Sequence, residues 1–209
     1  MMRKPLSEKP LCFLDTETTG LDSSIHEVIE IAIVKEYPDG RREHYQTLIR
    51  PENIEVAAPK ALELNGYAAN PSRWEHMETM ATVGPLILNV LEGSIVVGHN
   101  ISFDLDMLEA NMKRAGLKPR LPYHKIDTVT LAYEHLVPCG LESLSMDKIR
   151  KFLDWSMEGA HTAMKDAKDA RRLYRLCSRS GKGARFLIRW GHRTRTYRAT
   201  KKAMRRVRR

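Results

Sequence analysis

The stretch LCFLDTETTGLD, residues 11–22, joins four apolar residues to a run of carboxylates and threonines. Leu11–Leu14 predicts a short buried strand that ends at Asp15. In extended chain the side chains of residues i and i+2 point to the same side, so Asp15 and Glu17 share a face. Two carboxylates at an apolar strand end repel one another with little water to screen them, and a divalent cation offsets that repulsion. Oxygen donors without cysteine suit Mg²⁺ or Mn²⁺ better than zinc. The plain alternative is a solvated turn, since Thr18–Asp22 is polar and D-x-E pairs are common.

Working outward, residues 27–35 (EVIEIAIVK) alternate well enough for a strand, and 42–50 follow as another. Pro38-Asp39-Gly40 between them is a turn, with Pro fixing φ and Gly accepting φ > 0. The first fifty residues thus predict a three-stranded antiparallel meander. A short helix is expected at 60–64, and a longer one capped by Ser72 and running to about Leu91. Residues 94–97 and 124–127 read as two more short strands. Helices are expected at 104–115, 141–152 and 163–177. Strands first, then strand alternating with helix, indicate an α/β fold with a mixed five-stranded sheet flanked by helices.

Three further residues bear chemistry. Asp104 follows a strand, a glycine turn and the start of a helix, where the helix dipole favours a negative charge; Asp106 competes for that plain role. His161 and Asp166 are five residues apart, a poor geometry for shared work on one unbroken helix. With His161 on a loop after Gly159 and Thr162 as N-cap, the helix fixes Asp166 and leaves His161 free to move. Taken singly, a surface histidine and a solvated aspartate explain this pair as well.

Taken together, FLDTETTGLD (13–22), VGHNISFD (97–104) and HTAMKDAKDA (161–170) resemble the three motifs of the DEDDh, or DnaQ-like, 3′–5′ exonucleases, the group of the epsilon proofreading subunit of bacterial DNA polymerase III. The likeness spans roughly residues 10–178 and fills all five defining positions with Asp15, Glu17, Asp104, His161 and Asp166. It implies an RNase H-like fold and a two-metal mechanism using Mg²⁺ or Mn²⁺. Asp15 would bridge both ions, Glu17 and Asp166 would hold the first, and Asp104 would act through water. His161 would be the general base, as an imidazole can accept a proton at neutral pH. The family's His-x4-Asp spacing selects Asp166 over its neighbour Asp169. By the same likeness Thr18, Leu21, Asn65, Asn100 and Phe103 lie beside the nucleotide. Leu21 would wedge against the terminal base and Phe103 would pack near the sugar, with ordinary core as its alternative. Asn65 stands where many relatives have histidine, and Asn100 is alternatively a turn former before Asp104.

The implied substrate is the 3′ end of DNA, single-stranded or frayed, with release of nucleoside 5′-monophosphates. RNA trimming by the same fold, and an inactive polymerase-associated binding subunit, are the alternatives. A proofreading role needs a DNA polymerase in trans, and the oligomeric state is left open.

Composition agrees with a nucleic-acid partner. The 209 residues are 42% hydrophobic and 29% charged, with a net charge of +9, which suits one ordinary domain. A membrane span, a collagen-like repeat and a disulfide-stapled miniprotein are excluded. Cys12, Cys139 and Cys177 form no CxxC pair, so reduced thiols in a cytoplasmic protein are expected, with no signal peptide and no membrane segment. Residues 1–178 form the expected exonuclease domain and 179–209 a basic tail, nucleic-acid-binding or disordered. From Lys182 to Arg209 there are 12 Lys/Arg and no Asp or Glu, with Phe186, Trp190 and Tyr197 interspersed. Cations answer phosphates and rings stack on unpaired bases. A chain ending at Gly181 is expected to bind nucleic acid more weakly and with a shallower salt dependence; an unchanged slope of log affinity against log salt would remove the tail from binding.

Overall fold

Strand β1 (Leu11–Thr18) lies at the centre of a five-stranded sheet, ordered β3-β2-β1-β4-β5. The computed structural model describes residues 5–178. β2 (Val28–Glu36) and β3 (Arg42–Leu48) complete an antiparallel meander. The turn between them is closed by Gly40 N–H to Tyr37 O (2.9 Å), with Gly40 at φ 88°. The chain then forms α1 (Pro59–Leu64), α2 (Ser72–Glu75) and α3 (Met80–Leu91). β4 (Ile95–Gly98) joins β1 in parallel, α4 (Ile101–Arg114) follows, and β5 (Lys125–Asp127) joins β4 in parallel. α5 (Thr128–Leu136), α6 (Met146–Leu153) and α7 (Ala163–Ser178) end the described chain. This is the expected α/β architecture with a mixed sheet. The basic tail expected over 179–209 lies outside the described residues. Among the described residues no helix is long and apolar enough to cross a membrane.

Among the described residues two compact units emerge, one reaching to Thr128 with Gly159–Arg171 added, the other comprising Val129–Glu158 and residues 172–178. In the first, β1 sends alternate side chains to opposite faces. Cys12 and Leu14 join Ile31 and Ile33 of β2, Ile87 of α3 and Met107 and Leu108 of α4 in the main core. On the other face Ala32, the cross-strand partner of Asp15, packs against Ala163 and Ala167 of α7. In the second unit Leu136, Ile149, Trp155 and Leu173 form a separate core, with the Arg172 guanidinium 4.2 Å over the Trp155 ring.

Several sequence expectations need correction. β1 does not end at Asp15 but runs on to Thr18, because β2 continues to pair with it, through Glu17 opposite Glu30. β2 is buried on both faces instead of alternating, as befits a sheet covered on each side. The single helix from Ser72 to Leu91 is broken. The buried Trp74 donates from Nε1 to Ile29 O (2.8 Å), and Glu78 O accepts from Arg50 N–H (3.0 Å), which draws the chain between α2 and α3 into tertiary bonds. The expected helix at 141–152 begins only at Met146. Leu141 is occupied in closing the preceding turn, with its N–H on Leu136 O (3.2 Å) after Gly140 at φ 103°. α5 has no counterpart in the sequence reading. Its β-branched start, Thr128-Val129-Thr130, argues against helix locally. A tertiary bond anchors it, from the buried Thr128 Oγ1 to Gly98 O (3.1 Å).

Gly98 hands β4 over to α4 in a space with no room for a side chain. A Cβ there would lie 2.7 Å from Ile101 Cδ1 and 3.0 Å from Leu14 O, a backbone atom that cannot yield cheaply. Gly98→Ala is therefore expected to destabilise the chain by about 1–3 kcal/mol, measured by denaturant unfolding.

Candidate active site

Asp15 and Glu17 stand on the face of β1 that looks toward α7. That helix approaches closely because its contacts on Ala32 are made by Ala163 and Ala167. Asp166, between those alanines, is thereby brought to the strand. One oxygen from each of Asp15, Glu17 and Asp166 lies within 4.8 Å of the others, and all three groups are half-buried. A bulge just beyond, where β1 shifts register between Glu17 and Thr18, ends the regular pairing beside the site.

Asp104 reaches the site from the other face. It lies in the first turn of α4 and is buried, while Asp106 is exposed. Its Oδ1 accepts from Thr16 N–H (2.9 Å) and Thr16 Oγ1–H (2.7 Å). Thr16 is the middle residue of Asp-Thr-Glu, and alternation turns it toward α4. The two faces of one strand thus carry the two halves of the acidic site. Sequence reading passed over Thr16, although the same period-2 argument that pairs Asp15 with Glu17 places it opposite.

The crowding shows in the ionisation of Glu17. Burial raises its pKa to about 8, and the charges of Asp166, Glu30 and Asp104 add to the rise. Burial likewise raises Asp104 to about 7, against the Thr16 hydrogen bonds that favour its carboxylate; Asp127 adds to the rise. Glu30 is a second residue the sequence reading left out. It faces Glu17 across the strands and accepts a hydrogen bond from Gln46 Nε2 (2.7 Å).

His161 sits on the turn ahead of α7, at φ 62°, outside the three-carboxylate group. Thr162 precedes the helix. Its carbonyl accepts from Asp166 N–H (3.1 Å), while its hydroxyl donates to Gly159 O (2.8 Å). Asp169 is buried and paired with Lys165 Nζ (2.6 Å), which sets it apart from Asp166.

The five residues expected beside a nucleotide are placed differently from one another. Leu21 is 83% exposed on the loop after β1. Thr18 is buried and donates from Oγ1 to Gly20 O (2.8 Å). Asn65 is buried too, with Nδ2 donating to Thr18 O (3.0 Å) and Oδ1 accepting from Tyr67 N–H (3.1 Å), so its amide braces the Thr18 backbone. Asn100, at φ 66°, forms the turn into α4, and its N–H donates to Asp127 Oδ1 (3.0 Å). Phe103 packs half-buried against the main core.

The loop carrying Leu21 is pinned to α4. Arg114 donates to Ser23 O and His26 O, each at 2.5 Å, and Asn111 Oδ1 accepts from Val28 N–H (2.9 Å). Gly20 leaves room for the His26 ring, whose Nδ1 accepts from Asp22 N–H (2.9 Å); a Cβ on Gly20 would fall 2.4 Å from that ring.

The family model described as RNase_T, Exonuclease, matches residues 12–174. Among curated relatives, the PolC-type DNA polymerase III of Thermotoga maritima is 36% identical over 156 residues, covering 74% of this chain and 11% of the relative. That of Clostridium perfringens is 31% identical over 155 residues, covering 74% and 10%. The chain therefore spans about a tenth of the length of these relatives. Among solved structures, E. coli exonuclease I in complex with a dT13 oligonucleotide superposes with a TM-score of 0.69 at 17% identity, covering 80% of this chain and 40% of that one. The same enzyme with dA16 gives 0.70 at 18%, covering 86% and 42%. At such identities the likeness is one of fold.

The raised pKa of Glu17 has a definite sign for stability. The folded chain holds that proton more tightly than the unfolded chain, so the contribution is full below about pH 4.5 and is lost as pH rises to about 8. In EDTA the Tm is expected to fall between about pH 5 and 8. Mg²⁺ or Mn²⁺ should restore it at the upper end, and Glu17→Gln should flatten the profile. A Tm independent of pH and of divalent cation would contradict this reading of the cluster.

Proposed function

We propose, since the chain belongs to the RNase_T exonuclease family, that it is a divalent-cation-dependent 3′–5′ exonuclease acting on single-stranded or frayed DNA. The observation that carries this is the convergence of Asp15, Glu17 and Asp166 oxygens within 4.8 Å, beside Asp104. The donor set fits the cation: hard carboxylate oxygens, half-buried, where burial first and the neighbouring carboxylate charges second push a proton onto Glu17. When bound, two Mg²⁺ or Mn²⁺ ions supply positive charge that stabilises the attacking and leaving oxygens of a phosphodiester.

Asp15, Glu17 and Asp166 hold the ions. Asp104, oriented by Thr16, completes the acidic ring and positions water. His161 accepts the proton of the attacking water on an imidazole nitrogen. Its place on the turn before α7, and not within the helix, frees its direction from that of Asp166. Leu21 packs on the 3′-terminal base, and Asn65 acts through the Thr18 backbone that it braces. The products are nucleoside 5′-monophosphates.

DNA as substrate is supported by the relatives, which are DNA polymerases, and by the structural neighbours, which hold dT13 and dA16. A proofreading role would draw on a polymerase outside these 209 residues.

The test uses 5′-labelled single-stranded DNA and RNA with Mg²⁺, Mn²⁺ or EDTA. A ladder shortening from the 3′ end is expected with either ion and not with EDTA, with DNA cut faster. Asp15→Ala should lose cation binding and cleavage together. His161→Ala should lose about 100-fold or more in turnover while keeping substrate affinity. Near-normal turnover in His161→Ala would remove it as the base, and faster cutting of RNA would reassign the substrate.

A further inference from the structure

Residues 5–178 carry 20 Lys/Arg against 26 Asp/Glu, so the described body as a whole repels a polyanion. One stretch departs from this. Between Glu109 and Asp127 there are five cations, Lys113, Arg114, Lys118, Arg120 and Lys125, and no carboxylate. Two of them have structural work: Lys113 pairs with Glu109 (2.6 Å), and Arg114 holds the loop carbonyls of Ser23 and His26. Lys118 and Arg120 are exposed and make no ion pair or hydrogen bond among the described residues. They line a cavity of about 410 Å³ whose apolar wall is Leu88 and Pro122, with Glu92 as its one carboxylate.

Beside the cavity stands Tyr123, 91% exposed, the barest large hydrophobic side chain of the described residues. Its ring meets His124 edge-on at 5.2 Å and buries almost nothing. Lys125 Nζ donates to Ser102 Oγ (3.0 Å) on α4, two residues before Asp104, so the cationic stretch leads toward the acidic site.

We infer that Lys118, Arg120 and Tyr123 form a second contact for the nucleic-acid strand, several nucleotides on the 5′ side of the end that enters the carboxylate site. The inference rests on the function proposed above. Cations set beside an exposed ring match a phosphate backbone with an unpaired base better than they match a protein surface, which would cover the ring with apolar neighbours. The register separates the two sites. Lys125 lies level with Val96, and Val96 with Cys12, so Glu17 is five residues further along the sheet and two strands across. At about 3.3 Å per residue and about 4.8 Å per strand, Lys125, two residues after Tyr123 in the chain, stands roughly 20 Å from Glu17. That exceeds the Debye length of about 8 Å at physiological salt, so the cations act only on a strand long enough to reach them. At about 3.4 Å per stacked nucleotide, about six nucleotides cover the distance.

The experiment compares the full chain with Lys118→Ala/Arg120→Ala/Tyr123→Ala on a trinucleotide and on a single strand of about 20 nucleotides. All three side chains are exposed, so folding is not at stake, and an unchanged Tm checks this. The variant is expected to cut the trinucleotide at the parent's rate. For the long strand its KM should rise at least about five-fold, the low end for one base–ring stack, and its salt slope should fall by about two. Equal KM and slope for parent and variant on the long strand would overturn the inference. So would loss of an Asp/Glu-rich peptide from the variant with the long strand unaffected, since that assigns the patch to a protein. Failure of the parent to cut either substrate would count against the proposed function instead.

Discussion

A single strand serves both faces of the site, and this constraint orders the rest. β1 alternates Leu14, Thr16 and Thr18 toward one side and Phe13, Asp15 and Glu17 toward the other. Of the first set, Leu14 belongs to the core built with α3 and α4, and Thr16 holds Asp104. The second set presents two carboxylates to α7. Because the strand is central and paired on both sides, neither set can shift without breaking a ladder. A one-residue slip would exchange the faces entirely.

The opposite wall of the site depends on small side chains. Ala32, Ala163 and Ala167 let helix and sheet approach closely enough for Asp166 to reach Asp15 and Glu17. Further along the same face, the Arg171 guanidinium bonds the buried Glu36 (2.5 Å) and lies 6.0 Å from the Phe13 ring, tying α7 to the sheet at a second point. The helix thus brings a negative charge to one end of the strands and a positive charge to the other. The protein holds together an acidic cluster that repels itself, and burial together with that repulsion raises the proton affinity of Glu17.

The five strands and the antiparallel meander of the first three were legible because apolar runs and the Pro38-Asp39-Gly40 turn are local signals. The helix limits were not. Ser72–Leu91 reads as one helix locally, yet Trp74 and Glu78 make bonds to residues some thirty to forty-five positions away that break it. Thr128-Val129-Thr130 reads against helix, yet its first residue is anchored on Gly98. Asn65 shows the same limit at the site, since nothing nearby in sequence says that its amide is engaged by Thr18.

By itself, the sequence determined where the motif residues lie: Asp15, Glu17, Asp104, His161 and Asp166 sit in motifs whose order and spacing are properties of the chain alone. It also determined that Asp15 and Glu17 share a face, because the period of a strand is local geometry. Only the tertiary structure decided that Asp166 completes their cluster while Asp169 turns to Lys165, and that Asp104 comes from the other side of the strand through Thr16. Those outcomes rest on how closely a helix can approach a sheet. The packing of side chains distant in sequence sets that approach, and no local pattern encodes it.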